Sequence, residues 1–338
     1  MKSQAPKFVI EEYLDPDYIP DILPHRENEI NAIFEMFKPL LEGRRPSHTF
    51  IYGGPGIGKT AVAKLVLREI KKEGVYPIYI NCWYNRTEAA VLAEILRQMS
   101  VPFPRKGRGV DELITEFLER VRGEKLLVVL DEIDLLSSPD VLYELSRASP
   151  TIGIILISNN PYATGKFDAR ARSSLALSSI EFKQYKVEEL ADILQERANL
   201  AKLDVNELAV KVAARFAFKH NSDVRYGLSL LLKAGRVAEK SGCPLTVNLI
   251  KRFDVEQSPK QVQRKSEIQE EHKRILDNLK FMGGEAFSNE LFKSYLHKGG
   301  KIAERTFRKY VRQLIDWKFI EEEEVAGRGR RRKLRLLS

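Results

Sequence analysis

Short apolar runs alternate with longer segments of helical periodicity through the first half of the chain. The apolar runs are short and nearly continuous, which is typical of buried β-strands; they lie at residues 48–52, 77–81, 126–130 and 153–158. Between them the apolar positions recur at helical spacing, which predicts helices at residues 61–73, 88–99 and 110–121. Because strands and helices alternate, the pattern indicates an α/β fold with a parallel sheet covered by helices.

From residue 187 onward the strand-like runs stop, and the periodicity predicts helices at residues 187–201, 204–219 and 223–241. The polar segment at residues 255–260 is typical of a linker, because Ser-Pro ends a helix. The pattern then predicts helices at residues 262–281, 289–297 and 303–317, and strands at residues 319–325 and 331–337. We therefore expect a core at residues 1–178, a helical domain at residues 179–256 and a small α+β domain at residues 257–338.

The composition indicates a protein that can bury a sizeable core, since 43% of its 338 residues are hydrophobic and 30% are charged. Its two cysteines, Cys82 and Cys243, are far apart, which excludes a disulfide framework and fits a reducing cytosol. No secretory signal opens the chain, and no apolar run approaches the roughly 20 residues of a membrane helix. We expect a cytoplasmic protein with no membrane partner.

The net charge of +9 is concentrated in the last quarter of the chain. Residues 260–338 contain 20 of the 56 lysines and arginines but only 12 of the 47 acidic residues. A basic module of this kind attracts a polyanion such as nucleic acid. A solvated charged surface would have the same composition, so charge alone leaves both interpretations open.

A glycine-rich segment follows the first predicted strand and leads into the first helix of the core; it comprises Gly53, Gly54, Pro55, Gly56, Ile57, Gly58, Lys59 and Thr60. It fits the G-x-x-x-x-G-K-[ST] phosphate loop in the strand–loop–helix context that the motif requires. Backbone amides and the helix N-terminus would bind phosphate, with Ala61 completing the contacts. Lys59 would neutralise the β- and γ-phosphates, and Thr60 would ligate Mg²⁺. ATP or ADP with Mg²⁺ is the predicted cofactor.

Polar residues follow two further strands. Asp131 is placed to hold Mg²⁺, and Glu132 is placed to orient or deprotonate the attacking water. Asn159, at the end of the next strand, is a candidate sensor of the γ-phosphate or of that water. The alternatives are ordinary surface acids at a strand end and a turn asparagine that caps a helix, and Asp134 fits a helix-capping or solvated acid at least as well.

These motifs together resemble the initiator clade of AAA+ ATPases. Three further segments narrow the resemblance to the archaeal replication initiators related to origin recognition complex subunit one and the Cdc-six loader. They are Tyr18-Ile19-Pro20 with Leu23-Pro24-His25-Arg26-Glu27, Asp168-Ala169-Arg170-Ala171-Arg172-Ser173-Ser174-Leu175, and Ser222-Asp223-Val224-Arg225-Tyr226-Gly227-Leu228. The segments depart from the family pattern at Ala169, where Pro is usual, and at Ser222, where Gly is usual. The resemblance implies an AAA+ phosphate-loop core, an α-helical lid and a C-terminal winged helix.

The resemblance also implies roles for individual residues. Contacts to the adenine and ribose would come from Ile19, Pro20, His25 and Arg26. Arg170 would be an arginine finger toward a neighbouring subunit's ATP, with Arg172 as a competitor for that role. Arg225 would contact the γ-phosphate from the lid as a second sensor. The alternative for each arginine is a simple surface cation or a structural ion-pair partner.

The pattern of the last quarter of the chain predicts a DNA-binding winged helix. Ser288 is a candidate N-cap for the helix at residues 289–297. In the next helix an apolar stripe of Phe307, Tyr310, Val311, Leu314 and Ile315 lies opposite the basic residues Arg305, Arg308, Lys309 and Arg312, as a recognition helix requires. A basic hairpin tip suits the minor groove; its cations include Arg328, Arg330, Arg331, Arg332 and Lys333. The alternatives are a generic basic tail and a winged helix that contacts protein.

The leading hypothesis is an ATP-controlled replication initiator that binds double-stranded origin DNA and helps to recruit or load an MCM-type helicase. Such a protein would be a weak ATPase, associated with the nucleoid, and would form homo- or hetero-oligomers with related initiators on DNA. One alternative is a regulatory DNA-binding paralogue in which the nucleotide is largely structural. Another is an AAA+ signalling or clamp-loader-like ATPase.

Overall fold

The computed structural model describes residues 9–100, 109–257, 270–316, 319–325 and 331–336. The chain divides into two compact units, Met1–Lys251 and Arg252–Ser338. None of the described helices is both long and apolar enough to cross a membrane.

The first unit is built on one parallel sheet, whose strands are β1 (Thr49–Gly53), β2 (Tyr76–Asn81), β3 (Leu126–Asp131), β4 (Ile152–Ser158) and β5 (Ser178–Phe182). Their order in the sheet is β2-β3-β4-β1-β5. Every residue of β3 and β4 is buried, which explains why these strands are continuously apolar in sequence. The four predicted strands are confirmed to within one residue at each end. The fifth strand was not predicted, because its Ser-Ser-Ile-Glu-Phe sequence has only two apolar residues.

Helices α1 to α6 flank this sheet; they are α1 (Glu27–Leu41), α2 (Lys59–Lys72), α3 (Glu88–Gln98), α4 (Val110–Arg120), α5 (Asp140–Ala148) and α6 (Ala169–Leu175). The predicted helices at residues 61–73, 88–99 and 110–121 correspond to α2, α3 and α4. α2 begins two residues earlier than predicted, because Gly58 takes a left-handed conformation and completes the turn before Lys59.

Four further helices follow β5, namely α7 (Val187–Leu200), α8 (Glu207–Lys219), α9 (Val224–Ser241) and α10 (Val247–Gln257). The three helices predicted here are confirmed, and α8 begins later than predicted because the Asn206 side chain caps it at the Leu208 amide. α10 was not predicted, and the linker expected from residue 255 begins inside it. The helix continues to Gln257 because the Ser-Pro dipeptide disfavours helix only from Ser258 onward; residues 258–269 lie outside the described part of the chain.

The second unit has three described helices, α11 (Glu270–Phe281), α12 (Ser288–His297) and α13 (Glu304–Asp316), with strands β6 (Glu285–Phe287), β7 (Ile320–Val325) and β8 (Arg331–Leu336). The strands form an antiparallel sheet in the order β6-β8-β7, and helices and hairpin together give a winged helix. Its core contains Leu279, Leu291, Phe307 and Leu314. The N-cap prediction for Ser288 is wrong, because β6 leads directly into α12 and leaves Phe287 at the cap position.

Candidate functional site

The carboxyl ends of three neighbouring strands meet at one edge of the sheet in the first unit. β1 ends at Gly53, β3 at Asp131 and β4 at Ser158. Ligands bind at such an edge of parallel α/β sheets, because the loops that follow the strands diverge there. A cavity opens at this edge, and its wall includes parts of β3, β4, α2, α7 and α9.

The loop between β1 and α2 forms one end of the cavity. Gly56 and Gly58 have φ values of 70° and 93°, which place them in the left-handed region that glycine adopts without a steric penalty. The N-terminus of α2 adjoins this loop. The backbone amides of its first turn and the positive end of the helix dipole fit a phosphate. The predicted contacts that line the cavity are Pro55, Gly56, Gly58, Lys59, Thr60 and Ala61. Ile57 is fully buried behind the loop, and Gly54 contributes its carbonyl to Lys59.

Lys59 connects the loop to the end of β4. Its Nζ donates hydrogen bonds to Gly53 O at 2.8 Å, to Gly54 O at 2.6 Å and to Asn159 Oδ1 at 2.8 Å. Burial lowers the pKa of the ammonium to about 8, although the negative charge of Asp131 partly opposes this effect. An anion next to Lys59 would restore its preference for the charged form, so the pocket suits a polyphosphate.

Asp131 collects three donors at the end of β3. Its Oδ2 accepts from Thr60 Oγ1 at 2.6 Å and from Tyr79 OH at 2.8 Å, and its Oδ1 accepts from the Glu132 amide at 2.9 Å. Carboxylate and hydroxyl oxygens are the hard ligands that Mg²⁺ prefers. Thr60 and Asp131 therefore fit a magnesium ion that accompanies a polyphosphate.

Glu132 lines the cavity beside this pair. Its φ of 57° is left-handed, which is strained for a residue with a side chain, and such strain concentrates at functional sites. Burial raises the pKa of the Glu132 carboxyl, and the charges of Asp131 and Asp134 raise it further. A carboxylate with a raised pKa accepts a proton more readily, as a general base must.

The lid contacts the phosphate end of the cavity through the start of α9. The Val224 amide donates to Gly56 O at 3.1 Å, and the Asp223 carboxylate caps α9 by accepting from the Arg225 amide at 2.9 Å. Arg225 is exposed and lines the same cavity as Lys59 and Asn159. The predicted sensor residues of the core and the lid therefore lie around one space.

The opposite wall of the cavity is mostly apolar and contains Ile19 and Pro20, two of the four predicted base contacts, with Pro16, Tyr18, Leu23, Pro24, Ile193 and Leu228. Arg197 of α7 holds this segment in place. Its guanidinium donates to the carbonyl oxygens of Tyr13, of Asp15 at 2.6 Å and of Tyr18 at 3.3 Å. An apolar wall next to a phosphate end fits a nucleoside base.

The other two predicted base contacts do not line the cavity. His25 Nε2 lies 3.0 Å from Asp192 Oδ2 at the surface of the lid. Arg26 is 4% exposed, and its guanidinium donates to Tyr185 OH at 2.8 Å, Ile57 O at 3.0 Å, Lys183 O at 2.8 Å and Glu29 Oε1 at 2.6 Å. Because these acceptors occupy its donors, Arg26 stabilises the phosphate loop through Ile57 O on the side away from the cavity.

Arg170 and Arg172 lie on α6, away from the cavity lining, and both are exposed. Arg170 Nε donates to Asp168 Oδ2 at 3.1 Å, and its guanidinium lies 5.8 Å from the centre of the Tyr143 ring. Arg170 lines a separate surface depression that also contains Arg45 and Arg147. This position leaves it accessible to another molecule.

The basic face of the second unit lies on α13. Arg305, Arg308, Lys309 and Arg312 are all exposed, and their spacing places them within one face of the helix. The opposite stripe is buried or partly buried, as predicted. Arg308 forms an ion pair with Glu304 at 2.6 Å. α13 therefore presents its cations to solvent, as a recognition helix does.

The hairpin is less purely basic than the sequence suggests. Lys333 and Arg335 on β8 pair with Glu285 of β6 at 3.1 and 3.5 Å. β7 carries four consecutive glutamates, and Glu321 and Glu323 lie opposite Arg335 and Lys333 in the strand register. Arg331 and Arg332 begin β8, whereas Arg328 and Arg330 lie outside the described residues.

Two residues that shape the site were not predicted. Arg197 lies on the apolar stripe of α7 with Leu190 and Leu194, and an arginine at a core position is a signal that the sequence does contain. Tyr79 contacts Asp131 because β2 pairs with β3. No local pattern indicates that contact.

Residues 43–161 match the protein-family model described as an AAA domain. The ORC1-type DNA replication protein 1 of Sulfurisphaera tokodaii is 38% identical over 271 residues, which cover 75% of this chain and 68% of the relative. The ORC1-type DNA replication protein 1 of Sulfolobus acidocaldarius is 35% identical over 244 residues, which cover 67% of this chain and 61% of the relative.

Among solved structures, the Aeropyrum pernix ORC1 protein in complex with DNA has a TM-score of 0.67 and 28% sequence identity. The match covers 96% of this chain and 92% of that one. The structural match and the sequence identity point to the same family. The chain belongs to the family of ORC1-type DNA replication proteins.

Proposed function

We propose that the protein is a DNA replication initiator controlled by ATP. Residues 1–178 would form the AAA+ core, residues 179–256 the lid and residues 257–338 the DNA-binding winged helix. The observation that carries the proposal is that Lys59, Asp131, Glu132 and the lid residue Arg225 surround one cavity with an apolar wall. A structural nucleotide needs no strained carboxylate at its phosphate end, so Glu132 favours hydrolysis over simple binding.

In this proposal each residue has one task. The phosphate loop and Lys59 bind the β- and γ-phosphates. Thr60 and Asp131 would hold Mg²⁺, which supplies neutralising charge when bound. Glu132 orients the attacking water and accepts its proton. Asn159 contacts the γ-phosphate from the core, and Arg225 contacts it from the lid. Arg170 would contribute an arginine finger to the ATP of a neighbouring subunit.

The winged helix would bind double-stranded origin DNA through α13 and the hairpin. The relative solved in complex with DNA supports this role. The exposed cations of α13 suit a protein of the cytoplasm that works at the nucleoid. Recruitment of an MCM-type helicase and assembly with related initiators on origin DNA belong to the same proposal.

Hydrolysis tests the nucleotide half of the proposal. ATP turnover is measured for the wild type and for Glu132→Gln, with and without duplex DNA. We expect slow turnover in the wild type and its loss in the variant, with ATP binding retained. Absence of turnover in both proteins would instead favour a regulatory DNA-binding paralogue with a structural nucleotide.

Footprinting on the host chromosome with ATP and with ADP tests the DNA half. Protection confined to replication origins is the expected result. Protection at promoters alone would exclude the initiator role.

A further inference from the structure

β2 is an edge strand of the first sheet, and a side chain closes its outer side. Gln98 of α3 accepts from the Tyr79 amide through Oε1 at 3.1 Å and donates to the Tyr79 carbonyl through Nε2 at 2.8 Å. A primary amide offers a donor and an acceptor together, so Gln98 takes the place of a neighbouring strand. Glu94 in turn accepts from Gln98 Nε2 at 2.7 Å. The backbone of Tyr79 is therefore fixed at both of its polar groups.

The ring of Tyr79 is fixed as well. Its hydroxyl donates to Asp131 Oδ2 at 2.8 Å, the same oxygen that accepts from Thr60 Oγ1 at 2.6 Å. The Lys64 ammonium lies 4.8 Å from the centre of the ring, and Lys64 also lines the cavity. The phenol therefore links the edge strand β2 to Thr60 and Asp131, the two residues that fit magnesium.

We propose that Tyr79 is a positioning residue for the binding of magnesium with nucleotide, because its hydroxyl fixes the orientation of the Asp131 carboxylate. This inference rests on the proposed function. Thr60 could ligate a metal ion through a lone pair of Oγ1 while its O–H still donates to Asp131 Oδ2. Tyr79, whose backbone is held by Gln98, supplies the second hydroxyl that orients the carboxylate. Removing such an outer hydrogen bond typically weakens metal binding by about 10- to 100-fold.

The test compares Tyr79→Phe with Tyr76→Phe. Tyr76 lies on the same strand, and its hydroxyl donates to Gln98 O at 2.5 Å without contacting Asp131. ADP affinity is measured by calorimetry in EDTA and at a series of magnesium concentrations. We expect Tyr79→Phe to bind ADP like the wild type in EDTA. Magnesium raises the ADP affinity, and the variant should need a magnesium concentration at least about 10-fold higher to reach half of that increase. Tyr76→Phe should follow the wild type throughout.

A magnesium dependence of Tyr79→Phe equal to that of the wild type would overturn the assignment. An equal loss of ADP affinity in EDTA and in magnesium would also overturn it, because that result indicates a general change in the pocket. Thermal unfolding in EDTA checks that both variants are folded. Failure of the wild type itself to bind ADP would instead remove the proposed function, and the two failures are therefore distinguishable.

Discussion

Two arginines of the lid contact the same N-terminal segment in different surroundings. Arg197 is 5% exposed and donates to three backbone carbonyl groups. Arg236 makes a bidentate pair with Glu11 at 2.6 and 2.7 Å, and both partners are about half exposed. Water competes more readily for the exposed pair of Arg236 and Glu11 than for the contacts of the buried Arg197 side chain. Arg197 should therefore matter far more for the wall that faces a nucleoside base.

We expect Arg197→Met to lower the free energy of unfolding by about 2–3 kcal/mol, because it removes three partly buried hydrogen bonds from a charged donor. Arg236→Met should stay within about 1 kcal/mol of the wild type. Urea denaturation measures both values. The Arg197 variant should also lose affinity for ADP while its affinity for pyrophosphate, which has no base, is unchanged. Equal losses for the two ligands would contradict a role at the base end.

His48 is a buried histidine next to the first residue of β1. It is 4% exposed, and neither ring nitrogen has a hydrogen-bond partner among the described residues. Burial lowers its pKa from 6.5 to about 4, and the charge of Arg45 contributes in the same direction. The unfolded chain therefore binds a proton between these two pH values that the folded chain does not bind.

Because the folded pKa is below the unfolded one, protonation of this histidine contributes almost nothing to unfolding at pH 7 and destabilises the fold as the pH falls from 6.5 to 4. The linkage amounts to about 3 kcal/mol at pH 4. His48→Leu removes the titrating group, so the difference in unfolding free energy between variant and wild type should grow by about this amount between pH 7 and pH 4. Denaturation at several pH values measures it, and a difference independent of pH would disprove the assignment.

At the scale of elements, the phosphate loop and the lid touch through Gly56. A Cβ atom at this position would lie 2.0 Å from Asp223 Oδ1, and the φ of Gly56 is 70°. Gly43 has nearly the same φ, 72°, but a Cβ atom there would meet nothing within 4 Å. The two positions therefore separate backbone strain from contact with the lid.

Gly43→Ala should cost about 1 kcal/mol of stability through its backbone conformation alone. Gly56→Ala carries the same strain and in addition pushes Asp223 and the start of α9 away from the loop. We expect it to lose nucleotide affinity by at least about 10-fold, a loss of roughly 1.4 kcal/mol, while Gly43→Ala binds normally. Calorimetric titration with ADP distinguishes them, and equal affinities would show that the contact between loop and lid does not matter for binding.

The exposed face of α13 should dominate the salt dependence of DNA binding. Neutralising about five phosphates gives a slope near −4.5 in a plot of log K against log salt, and each cation removed reduces its magnitude by about 0.9. Arg312→Gln should show this reduction. Arg274→Gln is the control, because Arg274 lies on α11 instead of α13 and is paired with Glu271 of its own helix at 3.3 Å. Fluorescence anisotropy with a DNA duplex measures the affinity at several salt concentrations. A wild-type slope for Arg312→Gln would contradict a phosphate contact by this residue.

At the scale of the whole molecule, the sequence predicts most of the elements because periodicity and the phosphate-loop motif are local. The sequence could predict that Lys59, Thr60 and Asp131 would lie together, since each lies at a fixed place relative to a strand end. Tyr79 could not be assigned, because its contact with Asp131 depends on which strands are neighbours. The pairing of Lys333 with Glu285 is hidden for the same reason, since it depends on the strand order β6-β8-β7.

The two units have separate hydrophobic cores, and each candidate site lies within one unit. Nucleotide can therefore control DNA binding only through a coupling free energy between the sites. Such coupling is reciprocal: the factor by which ATP instead of ADP changes DNA affinity must equal the factor by which DNA changes the preference for ATP over ADP. Typical factors are about 5 to 150.

The coupling factor can be measured at equilibrium in the Glu132→Gln variant, because this variant should bind ATP without hydrolysing it. We expect both titrations, of DNA against nucleotide-loaded protein and of nucleotide against DNA-loaded protein, to give one common factor. Adding Arg225→Ala to this variant should bring the factor close to one while ATP still binds, because the lid then loses the cation that lines the cavity beside Lys59. A factor of one with Arg225 intact would mean that the nucleotide site and the DNA-binding face act independently, and the winged helix would then bind DNA without regard to the state of the lid.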